Sequence, residues 1–150
     1  MDANCDTTYN ADSKTINSPN YPRPYPNNKY CTWHVAAPIG LKIRFENFSF
    51  SMQWGPNCSW DSLRIYDGSS NRSERVANLC WKDEFSGMTS TTNNILFVFN
   101  SDHEGPIAYE GFRLKLALIG TIMDFIIKLD PLLEIDIRVV ERFLNIFTFR

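Results

Sequence analysis

Positive charge is scarce in this chain. Its 15 Lys and Arg are outnumbered by 17 Asp and Glu, for a net charge of −2. A nucleic-acid binder needs a basic face, so this balance argues against that class. No block of like charges occurs anywhere. Zinc-binding patterns are missing too. There is no C-x-x-C, and the two histidines, His34 and His103, stand far apart, which argues against a zinc site. No G-x-S-x-G motif accompanies them, so any Ser-His-Asp set would rest on composition alone and the chain does not read as an enzyme. The start, Met1-Asp2-Ala3-Asn4, has no apolar h-region of a signal peptide, and we read Met1 as an artificial start or a processed precursor. No apolar run is long enough to cross a bilayer, because Asp124 and Lys128 interrupt the aliphatic stretch from Ile119 to Leu129.

What the chain does have is a proline loop. Ser18-Pro19-Asn20-Tyr21-Pro22-Arg23-Pro24-Tyr25-Pro26 places four prolines in eight residues. Such a segment is neither a helix nor a central strand. It reads as an ordered extended loop with two aromatic anchors. Around it stand four cysteines, Cys5, Cys31, Cys58 and Cys80. An even number, each more than twenty residues from the next, suits disulfides in an oxidising compartment. Four cysteines admit three pairings; closing Cys5 to Cys31 and Cys58 to Cys80 would stabilise by roughly 3–4 kcal/mol each. Three N-x-S/T sequons, at Asn47, Asn57 and Asn71, agree with secretion and glycosylation.

Strand signals recur along the first two thirds. Lys14 to Asn17 reads as a short edge strand, while residues 5–13 look polar and turn-like. Cys31, Trp33 and Val35 alternate with Thr32 and His34, the mark of a half-buried strand. Leu41, Ile43 and Phe45 alternate again. The apolar phase then slips to Phe48 and Phe50, which predicts a bulge near Asn47. Leu63, Ile65 and Tyr66 mark a strand closed by Asp67-Gly68. Ile95 to Phe99 is apolar on both faces and reads as a central strand. Phe112, Leu114, Leu116 and Leu118 form another. Many short strands separated by turns predict a sandwich. After Ile119 the composition changes. Asp130-Pro131 looks like a helix start, and Leu133, Ile137, Val140, Phe143, Leu144 and Phe147 recur at helical spacing.

Several motifs together carry a resemblance: Cys5, Ser18-Pro19-Asn20-Tyr21-Pro22 with Tyr25-Pro26, Cys31-Thr32-Trp33, Cys58-x-x-Asp61, Ile65-Tyr66-Asp67-Gly68, Cys80, Phe99-x-Ser101-Asp102 and Gly111-Phe112. In this order the chain resembles a CUB domain over roughly residues 5–118, with 119–150 as an extension. The resemblance implies an all-β, antiparallel, two-sheet, jelly-roll-like sandwich and the two sequential disulfides. It also implies an extracellular, non-catalytic binding module. Many members hold one Ca²⁺ at the end of the sandwich. Carried over, the ligands fall on Tyr25, Asp61 and Asp102. The family's Glu is missing; its place holds Gln53 counted back from Cys58, or Ser51 counted forward from Phe45. Glu104 would offer a replacement carboxylate if its loop turned inward. Losing one of three carboxylates weakens the shell, since affinity follows carboxylate count. The bland alternative makes Asp61 and Asp102 turn-forming residues.

Two functional readings follow. In the first, the rim recognises an extracellular protein or glycoprotein, with Trp54, Trp60 and Glu104 as contact residues beside the calcium ligands. In the second, the module assembles through its amphipathic tail. That tail carries both charge signs, which disfavours an anionic-membrane anchor.

Overall fold

A computed structural model describes residues 5, 7–10, 15–83, 85, 87–104 and 109–120. These residues build eight strands: β1 (Thr7–Asn10), β2 (Thr15–Asn17), β3 (Tyr30–Ala36), β4 (Lys42–Ser51), β5 (Ser62–Asp67), β6 (Glu74–Leu79), β7 (Asn94–Asn100) and β8 (Gly111–Ile119). They form a five-stranded sheet in the order β1-β3-β7-β5-β6 and a three-stranded sheet in the order β2-β8-β4. The expected two-sheet sandwich is therefore what the chain forms. The helical and self-associating extension expected over 119–150 lies outside the described residues, apart from Ile119, which ends β8, and Gly120.

Alternation explains the strands. Cys31, Trp33 and Val35 point into the core from β3, while Ile43 and Phe45 do so from β4, and Phe112, Leu114 and Leu116 from β8. The predicted central strand, β7, does sit at the middle of its sheet, with Ile95, Phe97, Val98 and Phe99 all buried. The sheets meet through aromatic rings. Trp33 packs edge-on against Phe112 at 5.7 Å, and Phe45 lies 5.9 Å from Phe97. Each such fully buried side chain contributes roughly 1.5–3 kcal/mol. The expected bulge is present, with a register shift between Phe45 and Asn47. It keeps Phe48 and Phe50 on the inner side, opposite Leu114 and Phe112.

Two expectations need correction. Residues 7–10 are not turn-like but form β1, and β1 runs parallel to β3 in an otherwise antiparallel sandwich. The cause is covalent. Cys5 is bonded to Cys31, a separation of 26 residues, and the ladder pairs Thr7 with Trp33, the same offset. The cystine thus acts as the first rung, with its Cα atoms 4.9 Å apart, close to the ordinary spacing between strands. The second cystine, Cys58–Cys80, joins the entry to β5 with the exit of β6. Strand β6 itself went unread, because Glu74 to Leu79 does not alternate.

At the end of β5, Asp67 is buried and accepts hydrogen bonds from the Thr91 N–H (2.7 Å), the Thr92 N–H (3.2 Å) and the Thr92 hydroxyl (3.1 Å). Burial pushes its carboxyl up, but the bonds from Thr91 and Thr92 outweigh burial and hold it below the ordinary 3.8. The unfolded chain titrates near about 3.9, so the stabilisation is complete above that pH and is lost as pH falls through the lower folded value. Urea unfolding across pH should therefore show a wild-type advantage over D67N that is constant above about pH 5 and shrinks below about pH 4. An advantage independent of pH would reject this role.

Candidate functional site

One end of the sandwich gathers the proline loop, the loop after β4, the entry to β5 and the exit of β7. The Pro56–Cys58 3-10 turn, with Asn57 in a left-handed conformation, reverses the chain so that Asp61 enters β5 from the core side. Asp61 is only 1% exposed. Its Oδ1 accepts the Asp102 N–H at 2.8 Å, and its Oδ2 accepts the Tyr25 hydroxyl at 2.5 Å. The Tyr25 oxygen accepts the Gln53 N–H at 2.9 Å. Four residues distant in sequence are thereby joined through two side chains.

The remaining motif residues hold this arrangement. Ser101 donates its hydroxyl to the Pro26 carbonyl at 2.8 Å and accepts the Lys29 N–H at 3.0 Å. The Asp102 carbonyl accepts the Asn28 N–H at 2.7 Å, and its Oδ1 accepts the Glu104 N–H at 3.0 Å. At the other side of the proline loop, the Ser18 hydroxyl accepts the Phe112 N–H at 3.0 Å. Gly111 has a φ of +87°, and a Cβ there would collide with the Ser18 hydroxyl, so the Gly-Phe pair is sterically required.

Electrostatics are unusual here. Burial raises the Asp61 carboxyl, and the neighbouring Asp102 charge adds to this; hydrogen bonds from Tyr25 and the Asp102 N–H oppose it, and the net shift is upward. Burial and the bond to Asp61 push the Tyr25 hydroxyl far up, so it remains protonated and donates. The Oε1 of Gln53, whose backbone N–H bonds Tyr25, is buried without a hydrogen-bond partner among the described residues. Ser51, the other position considered for the missing acid, ends β4 opposite Gly111, whereas the Gln53 backbone bonds Tyr25. Of the two, it is Gln53 that is joined to the Tyr25–Asp61 pair, through its backbone. Two carboxylates, one amide oxygen and one hydroxyl are hard oxygen donors of the kind Ca²⁺ takes, and the orphaned Gln53 oxygen fits such an ion. The tightest His/Cys/Asp/Glu cluster among the described residues is a different one, Cys58, Cys80 and Asp83, but its two sulfurs are bonded to each other and offer no thiolate.

Around this set, Trp54 and Trp60 are 53% and 43% exposed, with their rings edge to face at 6.1 Å. A Cβ at Gly55 would meet the Trp60 ring at 2.7 Å, so Gly55 lets the indole lie over the backbone. The Glu104 side chain does not turn inward; it is largely exposed, 3.6 Å from His103. His34 is elsewhere, on β3, bonded to the Asn94 amide at 2.9 Å. Sequence reading passed over Trp81, which is exposed, has a φ of +63° and packs against Tyr109 at 6.0 Å. Its backbone carbonyl accepts the Met52 N–H, next to Gln53. An aromatic residue beside Cys80 was the available signal. Of the sequons, Asn57 lies between Trp54 and Trp60, Asn71 lies in the β5–β6 turn at the opposite end, and Asn47 pairs with Lys115 in the three-stranded sheet.

A family model described as the CUB domain matches residues 5–116. Cubilin of Rattus norvegicus is 35% identical over 115 residues, 77% of this chain and 3% of that protein. Bone morphogenetic protein 1 of Xenopus laevis is 36% identical over 114 residues, 76% of this chain and 16% of that protein. The chain thus spans a small part of the length of these relatives. Among solved structures, the MASP-1 CUB2 domain bound to Ca²⁺ is similar with a TM-score of 0.62 and 25% identity, over 75% of this chain and 99% of that one.

The Tyr25 hydroxyl is the joint of the whole site. Tyr25→Phe leaves the Gln53 N–H and Asp61 Oδ2 unpaired in a buried place, at a cost of about 1–3 kcal/mol. Urea unfolding measures it; a loss well under about 0.5 kcal/mol would mean that the hydroxyl does not join these loops.

Proposed function

This chain belongs to the CUB domain family, whose members are extracellular, non-catalytic binding modules, and from that membership we propose that its loop rim binds Ca²⁺ and recognises an extracellular protein or glycoprotein. The observation that carries the reading is the Gln53 Oε1, buried without a hydrogen-bond partner on a residue whose backbone N–H bonds Tyr25 of the Tyr25–Asp61–Asp102 set. An amide oxygen in that position is costly unless something electropositive meets it. A cation between Asp61 and Asp102 would also relieve the mutual repulsion of their carboxylates. The solved relative bound to Ca²⁺ supports the same assignment.

In this reading Asp61, Asp102 and Gln53 hold the ion and Tyr25 orients Asp61. The ion supplies fixed positive charge that orders the rim. Trp54, Trp60 and Glu104 then form the contact surface, two rigid aromatic rings beside an acid, which suits a partner bearing Lys or a sugar face. A glycan on Asn71 would leave that surface clear, because it stands at the far end of β5. A glycan on Asn57 would flank the indoles directly. The two cystines and the three sequons favour a secreted chain.

Calcium should raise the melting temperature relative to chelator, as any ligand of the native state does; at a hundredfold excess over Kd the gain is about 2.7 kcal/mol. D102N should lose that shift. Q53E restores a third carboxylate and should tighten calcium binding by roughly tenfold in calorimetry. Identical melting with calcium and with chelator, in both the wild type and Q53E, would overturn the metal assignment.

A further inference from the structure

The outer face of the three-stranded sheet has the opposite charge to the rim. Its strands β2, β4 and β8 contain four basic residues, Lys42, Arg44, Arg113 and Lys115, and one acidic residue, Glu46. Leu114 and Leu116 face the core, so Arg113 and Lys115 face outward; Ile43 and Phe45 do the same for Lys42 and Arg44. All four are exposed. The register sets Thr15 and Asn47 beside Lys115, and Asn17 and Ser49 beside Arg113. Glu46, at the bulge, neutralises one cation by meeting the Lys115 Nζ at 3.2 Å. The face keeps a clear positive excess in a chain whose net charge is −2.

A groove of about 550 Å³ opens on this face, lined by Thr15, Tyr21, Phe48, Ser49, Arg113 and Lys115. It combines two cations, the hydroxyls of Thr15, Tyr21 and Ser49, and the Tyr21 ring. Successive same-face residues of a strand lie roughly 6.6–6.8 Å apart, so Arg113 with Lys115, and Lys42 with Arg44, present cations at a regular repeat. Such a repeat complements a linear polymer with anions on successive units. The large exposed hydrophobic residues, Tyr30, Ile39, Trp54, Trp60 and Trp81, are all outside these three strands. Among the described residues these three strands thus expose no large hydrophobic side chain that would enter a bilayer or anchor a protein interface.

We propose that this face binds a sulfated linear polysaccharide. Its sulfates pair with Arg113, Lys115, Lys42 and Arg44, and a sugar unit lies against Tyr21 with its hydroxyls near Thr15 and Ser49. The site is separate from the calcium rim and does not depend on it.

The test uses the full chain on immobilised heparin at about 150 mM salt. Retention is expected, with affinity falling steeply as salt rises, as counterion release from a polyanion requires. R113Q/K115Q should bind roughly tenfold more weakly at an unchanged melting temperature. K42Q/R44Q should weaken binding by a smaller factor, and gives a second reading if the first pair fails to fold. Chelator or D102N should change nothing, which separates this site from the rim. Absence of retention, retention indifferent to both pairs, or equal binding of fully desulfated heparin would overturn the proposal. Equal or tighter binding of polyglutamate or of phosphatidylserine vesicles would overturn it in favour of an acidic protein or a lipid surface.

Discussion

A phenol buried at the end of a sandwich has two capacities, one to give a proton and one to accept. Tyr25 uses both, giving to Asp61 and accepting from the Gln53 amide. Because burial keeps the hydroxyl protonated, the bond to the carboxylate holds across the physiological range. Asp61 then passes the constraint on to Asp102 through its second oxygen. Three loops, each running between the two sheets, are positioned relative to one another by this relay. The prolines matter for the same reason. They leave the loop few alternative conformations to lose, so Tyr25 reaches the site at a smaller entropic cost.

The cystines act at a different level. The first one fixes an offset of 26 residues between two short segments, and that offset becomes the register of a parallel ladder. A four-residue strand with the sequence Thr-Thr-Tyr-Asn would not choose a parallel partner by its own propensity. The covalent rung chooses for it. The second cystine closes the β5–β6 hairpin at its open end, next to the 3-10 turn that delivers Asp61. Both therefore constrain strands whose ends form the rim, and neither lies in the outer sheet that carries the cations.

Much of the fold was legible because half-buried strands write their burial into period two. β3, β4 and β8 were readable for that reason, as was the phase slip at Asn47, whereas β7 was readable as an apolar run on both faces. β1 and β6 were not. Their side chains have no apolar alternation, and their places come from cystines and neighbours. At the rim, Tyr25, Asp61 and Asp102 were reachable only through the order of motifs, since nothing in spacing joins residues 25, 61 and 102. Counting could not separate Ser51 from Gln53; the fold adds only that the Gln53 N–H bonds Tyr25 while Ser51 ends β4 opposite Gly111. Trp81 was missed because its exposure depends on a left-handed backbone at a residue type that rarely adopts one.

Net charge illustrates a last point about scale. A value of −2 excludes a chain that is basic throughout, and it hides how charge is distributed. Here the acids Asp61, Asp102 and Glu104 cluster at a loop edge, while Lys42, Arg44, Arg113 and Lys115 share one sheet surface. A sandwich separates such groups by construction. Its ends are loops, where carboxylates can turn inward and be hydrogen-bonded by backbone amides; its open faces are pleated, where long cationic side chains stand side by side and stay hydrated. Counterions screen across about 8–10 Å, so two such surfaces on one small domain act almost independently. One fold can in this way hold a cation at its edge and an anion on its flank without either site weakening the other.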